Sequence, residues 1–456
     1  MVETNLVTLK AEYEEFARQF DRSLSCNIVV DGKITSDTIW AKAVVDDACV
    51  EETFTHTAKD ELEQKRYLKR YTKLVLYKAL SKKFNKELPW GAINGIRPVK
   101  FARQLGGDYK RYLTEQMLVS GEKAELLERI ILTQDKMGLD SSKIDLFIGI
   151  PFCPSRCAYC SFISEQITKK TRLNEYIDCL CKEIEAGKDY FLSNLGSIYI
   201  GGGTPIALPI ELLEKLLKTI GKHSVEYTVE AGRPDCFDKD KLKLFADYGV
   251  NRICVNPQTF NDKTLALMGR KHTTEQTINA FKLAREFDFI VNTDLIAGLV
   301  GESVEDFKFS MDKALELNAE NITVHTLCLK AGSKLKTQGQ VLSEDGVNEM
   351  HSYSQKLLYA SGYNPYYLYR QKYSAGNLEN VGYAKSGTEC RYNIAVMEEI
   401  TDNHAFGAGA NTKVIFGGEN RIERYFPPKD INTYIQKIDK IIEEKDKLLQ
   451  KKLQLN

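Results

Sequence analysis

The chain has 456 residues, 43% of them hydrophobic, enough for a large α/β barrel with additions or for two to three ordinary domains. Its 63 Lys plus Arg balance 63 Asp plus Glu, which argues against a nucleic-acid binder working by bulk charge. No opening stretch has the charged-then-apolar order of a signal peptide, and no apolar run approaches the roughly 18–20 residues of a spanning helix. A soluble, cytoplasmic protein without a membrane span is therefore expected.

Taken in chain order, residues 1–143 read as a mixed α/β region. Cys26–Val30 and Ala41–Val45 have the composition of strands, and Asp60–Asn85 reads as a long charged helix. Helical patterns follow near Pro98–Gln104 and Gly121–Lys136, and the polar stretch 138–143 makes a junction. Beyond it, strand-length apolar segments alternate with helical ones. The strands are Ile144–Ile150, Ser197–Ile200, Val225–Glu230, Arg252–Asn256, Phe289–Asp294 and Asn321–Leu327. The helices are Arg172–Glu185, Ile210–Ile220, Lys239–Ala246, Thr274–Glu286 and Val304–Leu317. Such alternation predicts a parallel sheet covered on both faces, because parallel strands need crossover helices. A partial barrel and an open doubly wound sheet both satisfy it. Past about residue 335 come a helix at Glu344–Tyr359, Tyr-rich and Gly-rich segments, and a Lys-rich helix at Asp430–Leu449.

Eleven cysteines, an odd number without a secretion signal, argue against a disulfide framework. Eight are scattered and read as small core residues. Cys153, Cys157 and Cys160 are not: they form C-x3-C-x2-C in the loop after the first barrel-type strand. Three thiolates on one loop can hold three corners of a cubane iron–sulfur cluster, leaving one iron open to a small chelating molecule. A structural zinc site, the competing reading, wants a fourth Cys or His nearby, and the next His is His223.

One β/α unit later stands Tyr199-Ile200-Gly201-Gly202-Gly203-Thr204-Pro205. Alone it is a tight turn; beside the Cys loop it becomes a place where backbone approaches a ligand closely. Three more strand ends carry polar residues, Glu230, Gln258 and Asp294, and in barrel folds such positions line the site. Their competing role is a helix cap or a turn. Arg270, in Met268-Gly269-Arg270-Lys271-His272, could supply a cation for a carboxylate, or stand solvated on the surface.

With these motifs the chain resembles the radical S-adenosylmethionine (SAM) superfamily, specifically the oxygen-independent coproporphyrinogen III oxidase family over roughly 144–415. Within that family it looks most like HemZ-type coproporphyrinogen dehydrogenases, which share segments like Trp90–Pro98 and Ala375–Tyr383. Arg252–Phe260 resembles the family's R-x-S-x-G-x-Q-x-F, and Asp294–Leu299 its D-L-I-x-G-L. The resemblance implies an α/β fold: a partial (β/α)6 radical SAM barrel over 144–335, an N-terminal α/β accessory domain over 1–143, and a mixed C-terminal extension over 336–456 that covers substrate. It implies that Cys153, Cys157 and Cys160 ligate a [4Fe–4S] cluster whose fourth iron is chelated by SAM. Gly202, Gly203 and Thr204 would meet the methionine end, Glu230, Gln258, Arg270 and Asp294 the carboxylate and ribose, and Tyr159 the adenine. Phe406–Asn411 resembles the family's closing loop near the adenine.

The implied reaction is oxidative decarboxylation of coproporphyrinogen III to protoporphyrinogen IX without oxygen, in heme biosynthesis. The implied partners are a tetrapyrrole substrate and a low-potential electron donor such as flavodoxin or ferredoxin. Two positions depart from the oxidases: Phe162 stands where they carry a fourth Cys, and Phe147 where they carry a Tyr. The missing Cys is shared with the heme-chaperone branch, so a heme carrier of the same fold, or action on another tetrapyrrole, is the alternative. Arg97, Lys100, Arg370 and Lys372 are candidate cations for substrate propionates, and His272 and His325 candidate axial heme ligands, with ordinary polar roles as the competing reading.

Overall fold

A computed structural model describes residues 1–160, 164–328, 346–372, 374–417 and 421–455. The chain divides into two compact units, Met1–Arg129 with Arg370–Glu379, and Ile130–Tyr369 with Asn380–Asn456. The boundary between these units falls inside the helix Gly121–Met137.

The first unit is built on a four-stranded sheet, β1 (Val2–Glu3), β2 (Ile28–Ile34), β3 (Thr38–Val45) and β4 (Ala48–Thr55), in that order. Burial alternates along β3, where Ile39, Ala41, Ala43 and Val45 are buried, so one face is a core face. The helix Glu61–Phe84 packs over this sheet. It starts at Asp60, whose carboxylate accepts from Glu63 N at 2.7 Å, and stops at Asn85, which takes a left-handed φ of 46°. Gly32 admits the helix: a Cβ there would lie 2.6 Å from Thr72 Cγ2. Strand β4 and the helix Lys10–Ala17 had no distinct sequence pattern; in β4 the more buried side, Ala48, Val50, Glu52 and Phe54, includes a charged residue that breaks the apolar alternation.

Within the same unit a buried polar knot joins Trp90, Lys123 and Glu379. Trp90 Nε1 donates to Glu379 Oε2 at 2.7 Å, and Lys123 Nζ to Glu379 Oε1 at 2.7 Å. Arg370 lies beside it, buried, donating from Nη1 to Ile93 O at 2.6 Å with its guanidinium 5.1 Å from the Trp90 ring.

The second unit contains six parallel strands: β5 (Ile144–Ile150), β8 (Leu195–Gly202), β9 (Glu226–Gly232), β10 (Arg252–Val255), β11 (Ile290–Ala297) and β12 (Asn321–Thr326). The short β6 (Phe152–Cys153) and β7 (Glu165–Gln166) pair with each other in a sheet of their own. The six pair in sequence order, each new strand adding on the same side. A doubly wound sheet reverses that direction at a switch point; an unreversed order is barrel connectivity. The choice left open by periodicity is thus settled by strand order: the fold is α/β, with a partial barrel. The crossover helices Leu173–Gly187, Ile210–Ile220, Lys239–Asp247, Thr274–Ala284 and Val304–Glu316 fall where the apolar periodicity places them. Two begin with capping boxes, Thr273 with Gln276 and Ser303 with Asp306.

Segments late in the chain extend the sheet at both edges. β13 (Asn364–Arg370) and β14 (Glu379–Ala384) lie outside β12, while β15 (Asp402–Phe406), β16 (Thr412–Phe416) and β17 (Arg421–Tyr425) follow β5. The Lys-rich tail forms two helices, Ile431–Gln436 and Ile438–Leu455, broken at Lys437.

The N-terminal ends of the barrel strands are tied by charge. Asp145 on β5 accepts from Ser197 Oγ at 2.6 Å, from Arg391 Nε at 3.3 Å and from Thr401 Oγ1. Arg252 on β10 binds Asn321, Glu226 at 3.3 Å and the carbonyl oxygens of Thr388 and Glu389 at 2.9 and 3.0 Å. This end is consumed by folding, and the opposite end is left for chemistry.

Truncating one partner of a buried ion pair costs about 3–5 kcal/mol. Glu379→Ala is expected to lower the stability of the first unit by that order, and Glu379→Gln, which keeps an acceptor for Trp90, by less. Urea midpoints decide, and unchanged midpoints in both variants would contradict the buried knot.

Candidate functional site

The C-terminal ends of the barrel strands bring the sequence-derived residues to one mouth. From β5 the chain runs through Phe152 and Cys153 into the cysteine loop, where the three cysteines are partly buried and none is in a disulfide among the described residues. Cys160 N donates to Cys157 O at 3.1 Å, and Ala158 N to Met268 O at 2.9 Å, so the loop leans on the segment that carries Arg270. Thr204 Oγ1 lies 3.4 Å from Cys153 Sγ. Among the described residues no three Cys, His, Asp or Glu side chains converge as a metal-binding group. The three thiols share one loop rather than one coordination point. Phe162 lies outside the described residues.

The glycine turn at the end of β8 is dictated by close contacts. A Cβ on Gly203 would meet Phe152 O at 2.5 Å and Ile150 O at 2.8 Å, and Gly202 has φ 107°. Gly203 N donates to Ile150 O at 2.8 Å and Thr204 N to Phe152 O at 2.7 Å. Beneath this turn sits Glu230, from β9. It accepts from Tyr199 Oη at 2.5 Å and from Gly202 N at 3.1 Å. Burial pushes its pKa above the usual carboxylate range, against the lowering effect of those two hydrogen bonds, and the charge of Asp294 adds to the rise.

Gln258, past β10, holds a left-handed φ of 71°, strained for a non-glycine residue. Its backbone is locked to β11, its N donating to Asp294 O and its O accepting from Ile296 N, both at 3.0 Å. Its Oε1 and the nearby Asn256 Oδ1 are buried with no hydrogen-bond partner among the described residues. Asp294 accepts from Asn292 Nδ2 at 2.9 Å, and its other oxygen lies 3.6 Å from His325 Nε2. His325 Nδ1 is 3.3 Å from Tyr369 Oη.

Arg270 is buried rather than solvated. Its guanidinium donates to Tyr159 Oη at 2.9 Å and to Asn256 O at 2.6 Å, with Cys157 Sγ at 3.9 Å. Tyr159 is thereby held, and burial raises its pKa. His272, behind Arg270, is buried and pushed down to about 3 by burial and by the Arg270 charge. The Gly407 turn closes the β5 side. Gly407 N donates to Glu183 at 2.9 Å, and Tyr176 Oη donates to Gly149 O at 2.7 Å while accepting from Ala408 N at 3.1 Å. Glu183 is paired with buried Lys445, which also donates to Ala405 O at 2.7 Å.

The donor set fits an iron–sulfur cluster and a small polar ligand. Three thiols stand on one loop, the glycine turn has no room for side chains, and two orphaned buried oxygens lie past β10.

Sequence pattern did not single out Arg233, Asp235 or Ser155 beside the cysteines, nor Tyr199 under Glu230. The available signal was Arg233-Pro234-Asp235, an opposite-charge pair around a proline just past a strand end. Glu302 was also missed. It accepts from Thr259 in the Gln258 loop, and burial raises its pKa to about 7 against the lowering effect of hydrogen bonds from Thr259 and Thr264. Of the proposed propionate cations, Arg370 is buried in the first unit against backbone carbonyls, where burial lowers its pKa to about 10, and Lys372 pairs with Glu15 at 2.6 Å. For Arg370 the structure replaces the substrate role with a packing role.

The radical SAM superfamily family model matches residues 147–314. The oxygen-independent coproporphyrinogen-III oxidase-like protein HemZ of Bacillus subtilis (strain 168) is 35% identical over 385 residues, 79% of this chain and 77% of that protein. The heme chaperone HemW of Lactococcus lactis subsp. lactis (strain IL1403) is 31% identical over 276 residues, 58% of this chain and 68% of that protein. Among solved structures, the coproporphyrinogen III oxidase HemN from Escherichia coli, a radical SAM enzyme, superposes with a TM-score of 0.53 at 21% identity, over 70% of this chain and 73% of that one. That similarity establishes a shared fold.

A methyl group on Gly203 must displace the Phe152 carbonyl, a strain of about 1–3 kcal/mol. Gly203→Ala is expected to lower the stability of the second unit by that order, read as a lower urea midpoint; an unchanged midpoint would contradict the close approach.

Glu302 gives a pH prediction. Its folded pKa of about 7 exceeds the ordinary 4.5, so the fold favours the protonated acid. Its contribution is intact below pH 4.5, falls as pH rises through the interval to about 7, and is then constant. Glu302→Gln should therefore gain stability relative to the parent as pH rises through that window, by on the order of 3 kcal/mol. A pH-independent difference in unfolding midpoints would contradict it.

Proposed function

The chain belongs to the radical SAM superfamily and, within it, to the family of HemZ, the oxygen-independent coproporphyrinogen-III oxidase-like protein, and from that membership we propose that it converts coproporphyrinogen III to protoporphyrinogen IX without oxygen. A [4Fe–4S] cluster and SAM come with the superfamily. The observation that carries the reading is the match to HemZ, which extends over 79% of the chain, well beyond the 147–314 core shared across the superfamily.

In this reading Cys153, Cys157 and Cys160 hold the cluster. Gly202, Gly203 and Thr204 meet the methionine end of SAM, Glu230, Gln258, Arg270 and Asp294 take its carboxylate and ribose, and Tyr159 lies against the adenine. The cluster and SAM together supply one-electron hydrogen abstraction from an unactivated C–H bond. The chain's own residues bind and orient. The Gln258 and Asn256 side-chain oxygens, desolvated and without partners among the described residues, offer acceptors to donor groups of a ligand. Glu230, fixed by Tyr199 and Gly202 N, is a preset acceptor whose position does not depend on the ligand. Arg270 and Tyr159 brace the loop that carries Cys157 and Cys160. Each propionate converted would lose CO2, one hydrogen atom and one electron, so the reaction needs an electron acceptor as well as a low-potential donor such as flavodoxin or ferredoxin. A cytoplasmic setting suits it; among the described residues no helix is long and apolar enough to cross a membrane.

A second reading, heme carriage, is supported by the 31% identity to HemW and by Phe162 at the position of a fourth Cys. The two separate in one anaerobic assay of cluster-reconstituted protein with SAM, reductant and coproporphyrinogen III, with Cys157→Ala as control. Substrate-dependent 5′-deoxyadenosine together with a divinyl product is expected. Persistent stoichiometric heme binding without any decarboxylated product would overturn the oxidase reading.

A further inference from the structure

Arg233 is among the least exposed charged side chains of the barrel, at 4% relative exposure, and no ligand role accounts for it. It follows β9, three residues after Glu230. Its Nη1 donates to Ser155 Oγ at 2.8 Å, and Ser155 is the middle residue of the three that separate Cys153 from Cys157. Its other edge is held by a two-bonded fork to Asp235, Nε to Oδ1 at 2.8 Å and Nη2 to Oδ2 at 2.7 Å. Ser155 is itself buried. A guanidinium is thus fixed in a dry environment against the cysteine loop, with orientation set from behind by a carboxylate.

Two physical effects follow. The hydrogen bond fixes the span between Cys153 and Cys157, since a planar fork locked on one edge leaves the other little freedom. The charge also acts on whatever the loop holds. A cubane cluster with three thiolate ligands gains negative charge on reduction, and net charge and solvent exposure set such potentials. A buried cation nearby stabilises the reduced form, and Asp235 offsets part of that effect. Arg270 is also buried and faces the loop, but its hydrogen bonds reach Tyr159 and Asn256 rather than Ser155.

We propose that Arg233 is a positioning residue for the cysteine loop and, with Asp235, tunes the reduction potential of the cluster bound there, Arg233 raising it and Asp235 lowering it. The inference rests on the reading that Cys153, Cys157 and Cys160 hold the cluster.

The test is potentiometric electron paramagnetic resonance on reconstituted full-length protein, without substrate. Parent protein that takes up no cluster would overturn the ligand reading itself. With the parent loaded, Arg233→Gln is expected to shift the potential to more negative values, and Arg233→Lys, which restores the charge, to recover most of that shift. Asp235→Asn is expected to shift it the opposite way. A loaded Arg233→Gln protein with the parental potential overturns the inference. If Arg233→Gln binds no cluster, Asp235→Asn decides alone: a positive shift supports the inference and an unchanged potential overturns it.

Discussion

The mouth of the barrel hangs on a backbone ladder that outlasts its strands. β5 and β8 pair in parallel register as far as Ile150 and Gly202, and the ladder then continues through Gly203 N to Ile150 O and Thr204 N to Phe152 O. These last bonds carry the cysteine loop, and they form only because position 203 has no side chain. From the same turn Thr204 reaches Cys153, and Gly202 N fixes Glu230. One register therefore sets where the thiols, the turn and the first acidic residue lie. No adjustment of a single side chain could restore them if it slipped.

The two ends of the barrel use polar groups in opposite ways. At the N-terminal ends, Asp145 and Arg252 have their hydrogen-bonding capacity largely met within the fold, and burial is compensated there by pairing. At the C-terminal ends, Asn256 and Gln258 keep buried oxygens without partners among the described residues, Gln258 sits in a strained backbone conformation, and Glu230 is held away from its ordinary ionisation. Desolvated groups left unpaired weaken a fold on their own.

Much of this was legible in the sequence, and unequally so. The barrel strands and helices read cleanly because each is a local run: β5 spans Ile144–Ile150 and one helix Ile210–Ile220, as the apolar pattern places them. Strand order was not legible, since a doubly wound sheet and a barrel need the same alternation and differ only in non-local pairing. For the same reason β15 was invisible as a neighbour of β5, a pairing between segments far apart in the chain with no local signature. Among the site residues, cysteines and glycines announce themselves by spacing. Ser155 and Arg233 do not, because a serine in a loop and an arginine at a strand end are ordinary until their contact is seen. Arg370 misled in the opposite sense: its charge suggested substrate, and its burial shows packing.

The pairing of Glu183 with Lys445 has a consequence for how the molecule comes into being. Glu183 holds the Gly407 turn, and its counter-charge comes from a helix synthesised after every barrel strand. A growing chain folds its earlier parts first, so the barrel wall and the cysteine loop exist on the ribosome while Glu183 still lacks Lys445. The rim beside β5 therefore stays loosely tied until the tail docks.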